Sequence, residues 1–225
     1  MKRGLIAVLV VMVCLVSGAA FASEGGSEKG LEVEAGVKAW YNKWKSDVPG
    51  AGSTTFDSTL LIGPAVEVMC PRHFYFEASY LFSVADYEHS EAGVTEKFDR
   101  KDLDLAVGYQ FIPQAGVYVG YKKVSMGGEG VSSDLTGPMI GIRGNVPVSH
   151  MFAVYGNLTY LMTKVEVTGA PKEDAPGTVI ELGVKAEVAK KVSANLGYKI
   201  ETTKGDDSKI KDTFSGITLG AMYAF

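Results

Sequence analysis

From residue 31 onward the chain alternates. In the stretch 31–41, Leu31, Val33, Ala35, Val37, Ala39 and Tyr41 fall on one side, and Glu32, Glu34, Gly36, Lys38 and Trp40 on the other. Strict period-two alternation over this length is the mark of a strand with two different surroundings, because successive side chains of a strand point to opposite faces. The stretch 102–111 repeats it, with Leu103, Leu105, Val107, Tyr109 and Phe111 against Asp102, Asp104, Ala106, Gly108 and Gln110. Residues 181–188 and 192–201 continue the theme. Ten such segments are predicted, over 31–44, 58–70, 73–85, 98–112, 116–125, 135–146, 150–163, 177–189, 191–203 and 213–225.

The connectors sort themselves. Short ones, at Pro71-Arg72, 113–115, Pro147 and Lys190, alternate with longer polar ones at 45–57, 86–97, 126–134, 164–176 and 204–212. Gly, Ser, Asp, Glu and Lys dominate the long set, as in solvated loops. This alternation predicts an all-β fold: an antiparallel up-and-down transmembrane barrel with short periplasmic turns and long outer loops. Both termini then lie on the periplasmic side and the strand number is even. Ten strands fit; eight, the lesser alternative, would discard a whole hairpin. The segments also suit the roughly 9–11 residues of a tilted spanning strand better than the roughly 5–6 of a soluble one.

Alternation alone leaves open which face is outside. A soluble lipocalin-like barrel would turn its oily face inward; a membrane barrel turns it toward lipid. The polar face carries Gly63, Gly108, Gly120, Gly141, Gly183, Gly197 and Gly220, small residues that suit a crowded interior. The apolar face carries Tyr41, Phe74, Phe76, Phe82, Tyr109, Phe111, Phe152, Tyr160, Tyr198, Tyr223 and Phe225. Rings near strand ends match the aromatic girdles at the water–lipid interfaces. The membrane orientation is therefore expected, with a polar lumen.

The N-terminus supports export. Met1-Lys2-Arg3 is basic, residues 5–16 are apolar, and Ala20-Phe21-Ala22 is an A-x-A cleavage pattern. This predicts a signal peptide over 1–22, a short periplasmic segment over 23–30 and a barrel domain over 31–225. Cys14 follows Val13, where lipid attachment needs a small residue, so lipidation is not expected. Cleavage leaves 20 Lys+Arg against 26 Asp+Glu, a net charge of −6. Nothing there resembles a nucleic-acid footprint. Cys70 is then the one cysteine, expected to serve as a small apolar residue at a strand end, with pairing between molecules as the alternative.

The last strand places Ile217, Leu219, Ala221, Tyr223 and Phe225 on one face. A terminal Phe preceded at alternate positions by apolar or aromatic residues resembles the C-terminal signature of outer-membrane barrels. With Leu-Ile-Gly-Pro-Ala-Val at 61–66 and Leu-Asp-Leu-Ala-Val-Gly-Tyr at 103–109, the mature chain resembles the outer-membrane β-barrel superfamily, including OmpA-like and opacity-like proteins. The resemblance implies that Leu219, Ala221, Tyr223 and Phe225 form an assembly signal read by the barrel assembly machinery. It identifies a wall and no activity.

Candidate chemistry lies on the inward face: Glu32, Glu34, Glu67, Glu77, Asp102, Asp104, Glu181, Glu187 and Glu201, with Lys38, Lys122, Arg143, Lys185 and Lys199. Isolated charges would be costly there, so an internal network of pairs is expected. A narrow water-filled path for small solutes is the alternative. Omptin proteases, lipid A deacylases and palmitoyltransferases are barrel enzymes, but their acid–histidine arrangements are not recovered. His73 and His150 fall at periplasmic turns, and His89 in an outer loop lacks a matching motif. No catalytic, cofactor or metal residues are assigned. The expected role is structural or surface-interacting through the outer loops, with outer-membrane lipid and lipopolysaccharide as surroundings. A porin-like channel comes second and a barrel enzyme third.

Overall fold

The computed structural model describes residues 30–91, 94–128 and 130–225. Ten long strands form one closed wall: β1 Glu32–Val48, β2 Thr59–Met69, β3 Phe74–Ser83, β4 Val94–Ile112, β5 Ala115–Gly128, β6 Ser132–Pro147, β7 Phe152–Leu161, β8 Gly177–Ala189, β9 Val192–Lys204 and β10 Lys211–Ala224. Each pairs antiparallel with its neighbours in the chain. The ring closes as β1 pairs β10, from Glu34 opposite Ala224 to Asp47 opposite Lys211. Closure leaves no unpaired edge in the wall, which lets strands cross a bilayer. Among the described residues no helix is long and apolar enough to do so. The expected signal segment lies outside the described residues.

The strand parity fixes the two faces. All the aromatics assigned outward stand on the outer face, with Tyr41, Phe74, Phe111, Tyr198 and Phe225 at least half exposed. The interior is crowded enough to need glycine. A Cβ on Gly108 would run into the ring of Tyr75, and one on Gly141 into that of Tyr118. These rings lie along the inner wall over positions that have no side chain.

The short-turn end agrees with the sequence reading. The Pro71–His73 turn joins β2 to β3, with Arg72 and His73 both at a left-handed φ of 70°. The other end differs from it. Short strands fill much of what reads as loop: Gly52–Thr55 folds back on β1, Tyr87–Glu91 pairs the start of β4, and Lys164–Val167 pairs the start of β6, with Glu173–Asp174 beside it. β5 runs on to Gly128 and β6 begins at Ser132, inside the segment 126–134 that reads as a loop. Ladder hydrogen bonds belong to the backbone and continue beyond the apolar belt. Where both faces meet water, however, no alternation marks the strand.

Candidate functional site

The lumen has three tiers. At the outer end it is filled by Trp40, Trp44, Phe56, Leu61, Leu81, Tyr87 and Phe214, with Phe98 and Met126 packed against them. Trp44 stacks on Phe56 with centroids 3.8 Å apart and on Phe214 at 5.6 Å, while Tyr87 and Phe98 meet it edge-on. Phe56 is anchored by its N–H to the Trp44 carbonyl at 2.9 Å. Two polar groups of this tier are paired: Tyr87 Oη donates to Asn42 Oδ1 at 2.6 Å and Trp44 Nε1 to Asp212 Oδ1 at 2.9 Å, while the buried Trp40 Nε1 has no hydrogen-bond partner. The expectation of a polar lumen is corrected here. Phe56 and Tyr87 enter from the outer connections and complete a core like that of a soluble domain, with the dense, offset ring contacts that such cores favour.

Beneath this plug lies a balanced charge cluster. Arg100 donates through Nε and Nη2 to both oxygens of Asp102, at 2.7 and 2.8 Å, and through Nη2 to Glu201 Oε1 at 2.7 Å. Lys122 Nζ lies 3.0 Å from Asp104, 3.1 Å from Glu201 and 3.9 Å from Asp102. Lys199 Nζ lies 3.5 Å from Glu201 and 4.1 Å above the Trp40 ring. The Arg100 guanidinium also faces Phe214, at 3.9 Å. Three cations thus meet three carboxylates, which offsets the cost of burying each. Arg100, fully buried, is absent from the sequence-derived set although it shares the parity of Asp102 and Asp104.

The periplasmic tier is a vestibule of about 340 Å³, and a smaller space of about 120 Å³ toward the charge cluster shares Lys38, Glu77, Tyr118 and Glu181 with its lining. Arg143 lies 3.5 Å over the Tyr75 ring and joins Glu67 at 2.9 Å and Glu77. Lys185 meets Glu34 at 3.0 Å. Glu181 accepts hydrogen bonds from Tyr155 Oη at 3.0 Å and Thr218 Oγ1 at 2.8 Å. Lys38 lines both spaces, within reach of the charges of Glu77, Glu181, Glu67 and Asp104. Glu32 lies exposed among the lining residues of the vestibule. Glu187 keeps the inward parity, directly across from the buried Ser193, but stands exposed at the periplasmic rim just before the register shift at 187–189, outside the vestibule lining.

The titratable groups are engaged by different partners. Asp102 is held by Arg100, and Asp104 by Lys122. His89 stands in the outer ribbon, its Nδ1 3.1 Å from the Thr55 carbonyl and its ring beside Phe56. His73 packs edge-on against Tyr109 at the opposite end. Among the described residues no three His, Cys, Asp or Glu side chains gather as a metal site. In the outer loops Glu173 accepts the N–H groups of Asp207 and Ser208 at 2.8 and 2.9 Å. The Ser208 hydroxyl and these amides hold its carboxyl below the usual range. At the C-terminus, Leu219, Tyr223 and Phe225 point outward with Ala221; the Phe225 N–H donates to the Val33 carbonyl at 2.9 Å, and its ring meets Tyr223 edge-on at 5.1 Å.

Comparison with known proteins agrees with this architecture. The family model described as "Outer membrane protein beta-barrel domain" matches residues 6–225. No curated protein matches the chain. Among solved structures, the outer membrane protease OmpT from Escherichia coli superposes with a TM-score of 0.61 at 10% identity, covering 90% of this chain and 99% of that one. The translocator domain of the autotransporter NalP from Neisseria meningitidis gives 0.46 at 12% identity, covering 99% and 98%. Ail, the attachment invasion locus protein of Yersinia pestis, gives 0.38 at 11% identity, covering 86% and 99%. At these identities the likeness to OmpT is one of fold.

Proposed function

Because the chain belongs to the outer membrane protein beta-barrel domain family, we propose that it serves the bacterial outer membrane as a closed, non-conducting barrel that holds rigid β-ribbons outside the cell. The observation that carries this reading is the plug. Trp44, Phe56, Leu61, Tyr87 and Phe214 fill the outer lumen, and the Arg100–Glu201 cluster lies below them. A solute entering the periplasmic vestibule meets buried, paired charges and then a packed aromatic core. Moving that core would forfeit contacts worth several kcal/mol, since removing one large buried ring costs about 3–5 kcal/mol.

The ribbons give the role its outward side. Gly52–Thr55, Tyr87–Glu91 and Lys164–Val167 continue the ladder beyond the apolar belt, and Phe56 and Tyr87 tie two of these connections to the plug. A rigid base under exposed polar segments is the arrangement by which loops present binding groups. Recording the folded protein in planar bilayers tests the reading. A baseline without stepwise currents is expected, and steady single-channel openings would replace it with the small-solute channel.

A further inference from the structure

The charge of the lumen balances in its middle tier and not at its periplasmic end. At mid-wall Arg100, Lys122 and Lys199 meet Asp102, Asp104 and Glu201. The vestibule is lined by five carboxylates, Glu32, Glu34, Glu67, Glu77 and Glu181, against the three cations Lys38, Arg143 and Lys185. Three of the carboxylates form one row across adjacent strands: Glu34 lies directly across from Glu67, and Glu67 from Glu77. Arg143 serves two of them and Lys185 the third. Glu181 receives only the neutral donors Tyr155 and Thr218. Among the described residues neither Glu181 nor Glu32 makes an ion pair. Lys38 makes none either, and feels these carboxylates only at longer range.

Like charges directly opposite on one sheet face destabilise it. A cleft with low-dielectric walls also concentrates the field of the sign in excess. The walls here are strands whose other face meets lipid, so the excess of negative charge calls for a cation from outside the chain. A chelated metal does not fit, because among the described residues no three carboxylates gather closely enough to hold one. The acids are strung out instead. They lie about 5 Å apart from strand to strand along the row. They also extend inward: Glu34 and Glu67 line the vestibule alone, whereas Glu181 lines the smaller space as well. Met69 and Met222 add apolar surface to the same lining. Ser193, only 8% exposed, lines the vestibule directly across from Met222, and among the described residues its hydroxyl has no hydrogen-bond partner. A buried hydroxyl without a partner is costly, and a ligand would supply one. Separated negative charges, apolar surface and a spare hydroxyl together describe the counterpart of an alkyl chain with several ammonium groups.

We propose that the periplasmic vestibule binds a linear diamine or polyamine that enters from the periplasm. One ammonium lies against the Glu34–Glu67–Glu77 row and another against Glu181. The methylenes pass Met69 and Met222, and an N–H donates to Ser193 Oγ. The ligand need not cross the barrel, so the inference is independent of whether the lumen conducts.

Isothermal titration calorimetry of the folded barrel in zwitterionic detergent, with spermidine at low ionic strength, tests this. Saturable binding of a single spermidine is expected. Glu67→Gln and Glu181→Gln are each expected to lower the affinity roughly tenfold or more, the factor set by a hydrogen bond to a charged group. Ser193→Ala, which keeps every charge, is expected to lower it roughly fivefold, as for one neutral hydrogen bond. Lys38→Met removes a competing cation and is expected to raise the affinity severalfold, a gain that mere damage to the barrel would not produce. Glu173→Gln, in the outer loops, is expected to bind as the wild type does. Magnesium chloride is expected to displace no more spermidine than sodium chloride of equal ionic strength. A wild type without saturable binding would overturn the proposal. So would unchanged binding by Glu67→Gln and Glu181→Gln, or an affinity that Lys38→Met lowers. Complete displacement by magnesium would overturn it too, because the vestibule would then hold only a counter-ion atmosphere. Heat-modifiable migration verifies that each variant is folded before its binding is counted. Should a glutamate variant fail that control, Lys38→Met and Ser193→Ala, with effects of opposite sign, decide the matter.

Discussion

Arg100 and Glu201 lie 101 residues apart in the chain and meet at 2.7 Å in the middle of the lumen, both almost completely buried. The contact ties β4 to β9 across the barrel rather than along its wall. Removing one partner leaves a buried charge without its counterion, which costs about 3–5 kcal/mol in such settings. Arg100→Met and Glu201→Gln are each expected to lower the unfolding free energy in urea titrations from lipid vesicles by that order. The double variant is expected to lose clearly less than the sum. Additive losses would show that the two side chains do not support one another.

The facing of the wall predicts an asymmetry between neighbouring residues. Leu105 lies opposite Ala78 on one side and Tyr121 on the other, with its side chain toward lipid. Leu105→Arg is expected to cost about 2–4 kcal/mol near the membrane midplane. An unfolding free energy equal to that of the wild type would reverse the assignment of faces.

The same parity explains what the sequence disclosed and what it concealed. In 102–111 every other residue is apolar, so Leu105 and Asp104 sort themselves without a structure. One turn of the pattern earlier, Asp99, Arg100, Lys101 and Asp102 are all charged. Contrast between the faces vanishes there, and Arg100 cannot be told from its solvated neighbours by spacing. The plug was hidden for another reason. Phe56 comes from a connection that reads as polar loop, and Tyr87 from a ribbon that pairs only with the start of β4. Their burial depends on those segments folding inward, a tertiary event with no local period.

Trp44 is the centre of that plug, stacked between Phe56 and Phe214. Trp44→Ala is expected to lower stability by about 3–5 kcal/mol. It should also remove much of the near-UV circular dichroism, since the stacked rings lose their fixed partner, while the far-UV strand signal persists. A near-UV spectrum unchanged by the substitution would mean that the stack is not populated.

The outer loops carry a pH response of definite sign. The Ser208 hydroxyl, the Ser208 N–H and the Asp207 N–H hold Glu173 below the usual carboxylate range. A depressed folded-state pKa contributes order that is fully present above the unfolded carboxyl value, about 4.3, and is lost as pH falls through the folded value. Protection of the Asp207 and Ser208 amides against hydrogen exchange, corrected for intrinsic rates, is expected to be constant near neutrality and to fall in acid. Glu173→Gln should weaken that protection at neutral pH and flatten its pH dependence. Protection that survives unchanged in the variant would assign the order of residues 205–210 to other contacts.

The terminal residue allows stability and assembly to be separated. Phe225 contributes one backbone hydrogen bond, to the Val33 carbonyl at 2.9 Å, and an edge-on contact with Tyr223, while 60% of it stays exposed. One such bond is worth about 1 kcal/mol, so a chain ending at Ala224 should refold in detergent with nearly wild-type stability. If the terminal ring is instead read during insertion, the same truncation will lower the amount of folded barrel in the outer membrane several-fold, out of proportion to its stability. Phe225→Tyr, which keeps an aromatic ring at the terminus, should restore most of the yield. Wild-type membrane yield of the truncated chain would count against a recognition role. A yield that falls only in step with in-vitro stability would reduce Phe225 to the last contact of the wall, where β10 closes on β1.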